Sequence, residues 1–120
     1  MTTQEIANRY YELAQQGLYT QIQDELYDVN CISDEPKDAQ GMSANHREWL
    51  EAIKAWMKQH DEMIEQMFGW FCNTPIVAWD FFACTMWMDV KYKWMERMNI
   101  EEVCVFGCKN GKIISEQFFY

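Results

Sequence analysis

Apolar positions near the start of the chain recur at helical spacing. Ile6, Tyr10, Leu13 and Ala14 fall on one face of a segment opened by a Thr2–Glu5 capping-box pair and closed by Gly17, which predicts a first helix. Tyr19, Ile22 and Leu26 repeat the pattern over a second, short helix. Val29 to Ile32 suits a brief strand, which ends before Glu35, held out of the helical region by Pro36. A polar loop follows over 37–44, and Asn45 then reads as the N-cap of a third helix running to about His60. On that helix Trp49, Ile53, Trp56 and His60 make an amphipathic stripe. From Ile64 onward the period shortens to two. Strand segments fit 64–73, 77–90, 95–108 and 112–120, with a break at Asn73-Thr74-Pro75 and a tight hairpin at Asn110-Gly111, where both turn residues accept positive φ. Helices first and strands afterwards predict one α+β domain over 1–120, its helices packed on a curved antiparallel sheet of about four main strands around a pocket.

Composition narrows what that pocket serves. Hydrophobic residues make up 49% of the 120, enough for a substantial core. The longest apolar run, Trp79 to Met88, is broken by Asp80 and Thr85, so no membrane span is expected. The N-terminus has neither a basic start nor an apolar signal core, which points to a cytoplasmic protein. Net charge is −9, and the ten Lys and Arg are scattered, which argues against nucleic acid and against an anionic membrane surface as partners. Five cysteines include no CxxC pair, and His46 and His60 belong to no ligand spacing, so neither a metal nor a cofactor is expected. The five glycines fall singly, leaving no phosphate-binding loop.

Several phrases carry a family resemblance: EIANRYYELAQQG at the start, DELYDVNCISDEP after the second helix, WLEAIKAW in the third, MDV at 88–90, and EEVCVFGCKNGKIISEQFFY at the end. Together they resemble the SnoaL-like branch of the nuclear transport factor two-like superfamily. The resemblance implies a cone in which helices close over a bent sheet, and a homodimer through the sheet's outer face. It implies a pocket but no particular reaction, since the superfamily includes isomerases, cyclases, dehydratases and domains without known activity. Trp79 stands in a turn where relatives usually carry Gly, Asp34 stands where an apolar residue is usual, and six Trp and nine Met add bulk. Those departures suit an engineered or pocket-mutated variant as well as a divergent natural member.

Strand alternation then yields candidate site residues. Met98, Ile100, Glu102, Cys104 and Phe106 share one face of the third strand segment, and the resemblance turns that face into the cone. Phe82, Cys84, Met86 and Met88 on the second segment, and Ile114, Glu116 and Phe118 on the last, are expected to join them, with Trp87 and Phe81 on the outside. Against this apolar lining, Asp34, Glu102 and Glu116 are the polar exceptions. A carboxyl in apolar surroundings has a raised pKa and suits acid–base work near neutrality, so Asp34 and Glu102 are candidate bases. Tyr10 and His60 are candidate hydrogen-bond donors to a developing oxyanion, and Trp49 and Trp56 candidate stacking surfaces. A Cys84–His60 or Cys104–His60 nucleophile has no sequence signature. Three functions stay open: a binding domain for a small apolar or aromatic molecule, a proton-transfer enzyme of the isomerase, cyclase or eliminase kind, and an oligomerisation module whose cavity is filled.

Overall fold

The computed structural model describes residues 1–36 and 45–120; the polar loop expected over 37–44 lies outside the described residues. Three helices, α1 (Thr3–Gln15), α2 (Tyr19–Leu26) and α3 (Leu50–Met63), cover an open sheet of seven strands. These are β1 (Tyr27–Asp34), β2 (His46–Glu48), β3 (Ile64–Cys72), β4 (Ile76–Ala78), β5 (Phe81–Tyr92), β6 (Met98–Lys109) and β7 (Lys112–Phe119). The spatial order is β2-β1-β7-β6-β5-β3, with β4 paired to β5 beside that path. The sheet therefore has more strands than the four expected. It is also mixed, because β1 lies parallel to β7 while every other pairing is antiparallel.

The Thr2–Glu5 capping box forms in both directions, and Ile6, Ala7, Tyr10, Leu13 and Ala14 are buried along α1. Gly17, at φ 71°, carries the chain out of the helix. The third helix begins later than the sequence suggests. Asn45 is no N-cap: its carbonyl accepts the Glu35 amide at 2.7 Å, extending the β1–β2 ladder, and Trp49 caps α3 instead. Only Ile53 is fully buried on this amphipathic helix, because its apolar stripe faces open space inside the cone.

Phe82 and Phe106 stack at 4.7 Å across β5 and β6, with Tyr10 of α1 against both, and they centre the main core. All five cysteines are buried free thiols. The β5–β6 ladder runs without interruption from Phe81–Gly107 to Val90–Met98, so alternation holds on both strands. On β7 a bulge beside Cys108 breaks it: Ile113 is buried and Ile114, expected inward, is exposed. Among the described residues, four other than glycine have positive φ: Asn110 in the expected hairpin, and Trp49, Trp79 and Trp94. Among the described residues no helix is long and apolar enough to cross a membrane.

Candidate functional site

The helices meet the sheet tightly at the Phe82–Phe106 end and stand off it at the other, leaving a cavity of about 310 Å³. That is near the lower end of the roughly 300–1,000 Å³ typical of ligand pockets. Ile53, Trp56 and Met57 of α3 face Met67 and Trp70 of β3 across it, and Met86 and Met88 of β5 form part of its floor. The walls are therefore largely aromatic and thioether.

One part of the lining is acidic. Glu102 stands on β6 opposite Met86, with its Oε1 accepting from the Cys104 thiol at 3.6 Å. Burial pushes its carboxyl up to about 7, and the charges of Glu35 and Glu116 push the same way. Glu116 on β7 is buried, with Tyr27 donating its hydroxyl to Oε2 and Ser33 also bonding the carboxyl. Burial outweighs those donors and raises Glu116 to about 7. Glu35, just past β1, is also raised by burial, opposed by the Arg47 charge and by hydrogen bonds from Tyr120 and Trp56. The Tyr120 hydroxyl lies 3.4 Å from Glu35 Oε2. Arg47 itself is buried, its guanidinium 3.9 Å from the centre of the Trp56 ring.

The uncharged polar groups are distributed differently. Tyr10 borders the cavity, and burial holds its phenol well above the usual range, so it keeps its proton. Its hydroxyl makes no hydrogen bond among the described residues. Gln23 of α2 is 3% exposed, borders the cavity, and its Oε1 has no partner among the described residues. An unsatisfied buried amide oxygen costs roughly 1–3 kcal/mol, and a polar group on a bound molecule would recover it. His60 also lines the cavity, but its Nε2 lies 2.6 Å from the Tyr92 hydroxyl. Burial pushes its imidazole below the usual histidine range, so it sits there uncharged.

Of the residues singled out from the sequence, Tyr10, Trp56, His60, Met86, Met88, Glu102, Glu116 and Phe118 line the cavity. Five others do not line it. Asp34 points away from the cavity and accepts from His46 at 2.5 Å, because consecutive residues at the end of β1 face opposite ways and Glu35 takes the inward place. Trp49 is 59% exposed at the head of α3. Phe82, Cys84 and Cys104 do face the helices, but they lie in the closed core, where no space remains. Trp87, expected outside, packs its ring edge over Gly69 and also borders the cavity. Sequence reasoning missed Glu35, Gln23 and Arg47. Only Gln23 left a signal, since it adjoins Ile22 on the buried side of α2. Among the described residues no group of three metal-ligating side chains converges.

Comparison with known proteins agrees with this architecture. A protein from Mesorhizobium loti, provisionally named a SnoaL-like polyketide cyclase, superposes with a TM-score of 0.91 at 30% identity over 100% of both chains. A Xanthomonas campestris protein of unknown function with a cystatin-like fold gives 0.80 at 18% identity, over 99% of this chain and 90% of that one. TerC, co-crystallised with polyporic acid, gives 0.75 at 12% identity, over 98% and 90%. The latter two likenesses speak for the fold alone. No curated sequence matches. A family model described as the SnoaL-like domain matches residues 1–120, and the chain belongs to that family.

Proposed function

We propose that the chain binds a small, flat, mostly apolar molecule in the cone and moves a proton on it, with Glu102 as the acid–base group. The observation that carries this reading is a carboxyl set into the wall of a cavity otherwise built from aromatic and methionine side chains. In water a glutamate is too weak a base to compete; in this setting its ionised form is less stabilised, so it takes up protons near neutrality. Tyr10 supplies a neutral hydroxyl on the α-helical side, suited to steadying charge that develops as the proton leaves, and the Gln23 amide oxygen can accept from a donor on the bound molecule. TerC, which shares the fold, was co-crystallised with polyporic acid, and this supports small-molecule binding. The space of about 310 Å³ favours an occupied pocket over a cavity filled by the chain's own Trp and Met. The same reading has two copies pairing through the outer sheet face, where Phe71, Phe81, Val103 and Phe119 are exposed; sedimentation would then report twice the 14.5 kDa chain mass.

A general probe of pocket bases tests the proton-transfer step. In 5-nitrobenzisoxazole a base removes the C3 proton while the ring N–O bond breaks, giving a coloured cyanophenolate. Catalysis needs the ionised carboxylate, so the rate should rise with pH through about 7. Glu102→Gln should lower it by roughly 10²–10⁴-fold. No rate above buffer, or an unchanged rate in the variant, counts against the proposal.

A further inference from the structure

We infer that the molecule the cavity is built to hold is an organic cation, an ammonium group on an apolar or aromatic body. This rests on the reading of the cone as a binding site and specifies its occupant. Three carboxyls withdrawn from water border the cavity, Glu35, Glu102 and Glu116, with the exposed Asp61 beside His60 as a fourth, and no lysine or arginine does so among the described residues. The basic residue in the lining is His60, whose Nε2 meets Tyr92 and which burial keeps uncharged. Arg47 lies behind the wall, with its guanidinium over the Trp56 ring. Its charge offsets part of the repulsion at Glu35 and Glu116 but is not a cause of the Glu102 shift.

Such a lining penalises an anion twice, by desolvating it and by setting it among like charges. It rewards a cation twice. The carboxylates supply opposite charge where water is scarce, and the rings of Tyr19, Trp70 and Phe118 in the lining supply electron-rich groups that attract ammonium. The carboxyls repel one another: Glu35 and Glu116 both push Glu102 up, and Glu35 pushes Glu116 up. An ammonium placed among them relieves that repulsion and lets them ionise, so binding near neutrality should expel protons into solution. The net charge of −9 would also draw cations toward the mouth.

Three probes of similar shape separate the alternatives: 2-phenylethylammonium, 2-phenylethanol and 3-phenylpropanoate, each titrated calorimetrically into the wild-type protein at pH 8. The ammonium should bind at a stoichiometry of one and at least tenfold more tightly than the alcohol, with the carboxylate weakest. Its advantage should shrink at pH 5.5, where Glu102 and Glu116 hold their protons, and should fall in Glu102→Gln. Heats measured at pH 7 in two buffers of different ionisation enthalpy should report proton release. If the alcohol binds and the ammonium binds no better, or if the carboxylate matches it, the inference fails while the binding site stands. If none of the three binds, both fall.

Discussion

Glu102→Gln should stabilise the folded protein by about 3 kcal/mol at pH 8 and leave it unchanged below about pH 4.5. Burial raises the Glu102 carboxyl from 4.5 to about 7, a shift of about 2.5 units at about 1.4 kcal/mol per unit. The folded chain holds this proton more tightly than the unfolded chain does. Between pH 4.5 and 7 the folded state therefore binds more protons, and stability falls as pH rises. Above pH 7 the full cost is present, because folding must then bury a charged carboxylate or take up a proton. Glutamine keeps the shape of the protonated acid and never ionises, so the variant escapes that cost. Urea titrations of both proteins at pH 4 and pH 8 measure it; equal stability at pH 8 would mean that Glu102 is not enclosed in apolar surroundings. The same substitution should slow proton transfer by roughly 10²–10⁴-fold. A residue whose removal strengthens the fold and weakens the activity is one retained for its chemistry.

Replacing Trp79 and Trp94 together by glycine should stabilise the chain by roughly 1–3 kcal/mol. Both hold positive φ, 55° and 65°, where the Cβ of an L-residue crowds its own backbone at about 1–2 kcal/mol per residue. Both are more than nine-tenths exposed, so almost no packing is lost with the indole. Glycine relaxes the left-handed geometry, and its extra freedom in the unfolded chain returns part of the gain. Trp79 turns the chain from β4 into β5, and Trp94 stands between β5 and β6, so each strains a strand connection. A rise in the urea midpoint at constant slope is the expected result; a fall would show that the indoles pack against something.

Much of this molecule was legible in its sequence, for reasons that differ from part to part. The faces of β5 and β6 followed from alternation because their ladder runs ten pairs without a bulge. Alternation gives a side chain's face but not its depth. Phe82, Cys84 and Cys104 point the same way as Met86 and Met88, yet α1 closes over the first three while α3 stands clear of the others. On β7 one inserted residue exchanged Ile114 for Ile113. At the end of β1 a single step separates Asp34, bound to His46, from Glu35 in the cavity. Nothing local marks that step, since it is fixed by the parallel pairing of β1 with β7, a contact between distant segments. Arg47 was hidden for a similar reason, as the short strand that carries it exists only against β1. The surplus of tryptophan suggested a remodelled pocket. Trp49, Trp79 and Trp94 stand outside it, while Trp56, Trp70 and Trp87 border it.

The central claim is an acidic cluster held in an apolar cavity and open to a small molecule. Carbon-13 spectra of the glutamate side-chain carboxyls, followed from pH 3 to pH 9 and assigned with Glu102→Gln and Glu116→Gln, test it most directly. Two carboxyls should titrate near pH 7, well apart from the exposed glutamates, and both should shift when 2-phenylethylammonium is added. Glutamates that all titrate between about pH 4 and 5, with none responding to the probe, would contradict it.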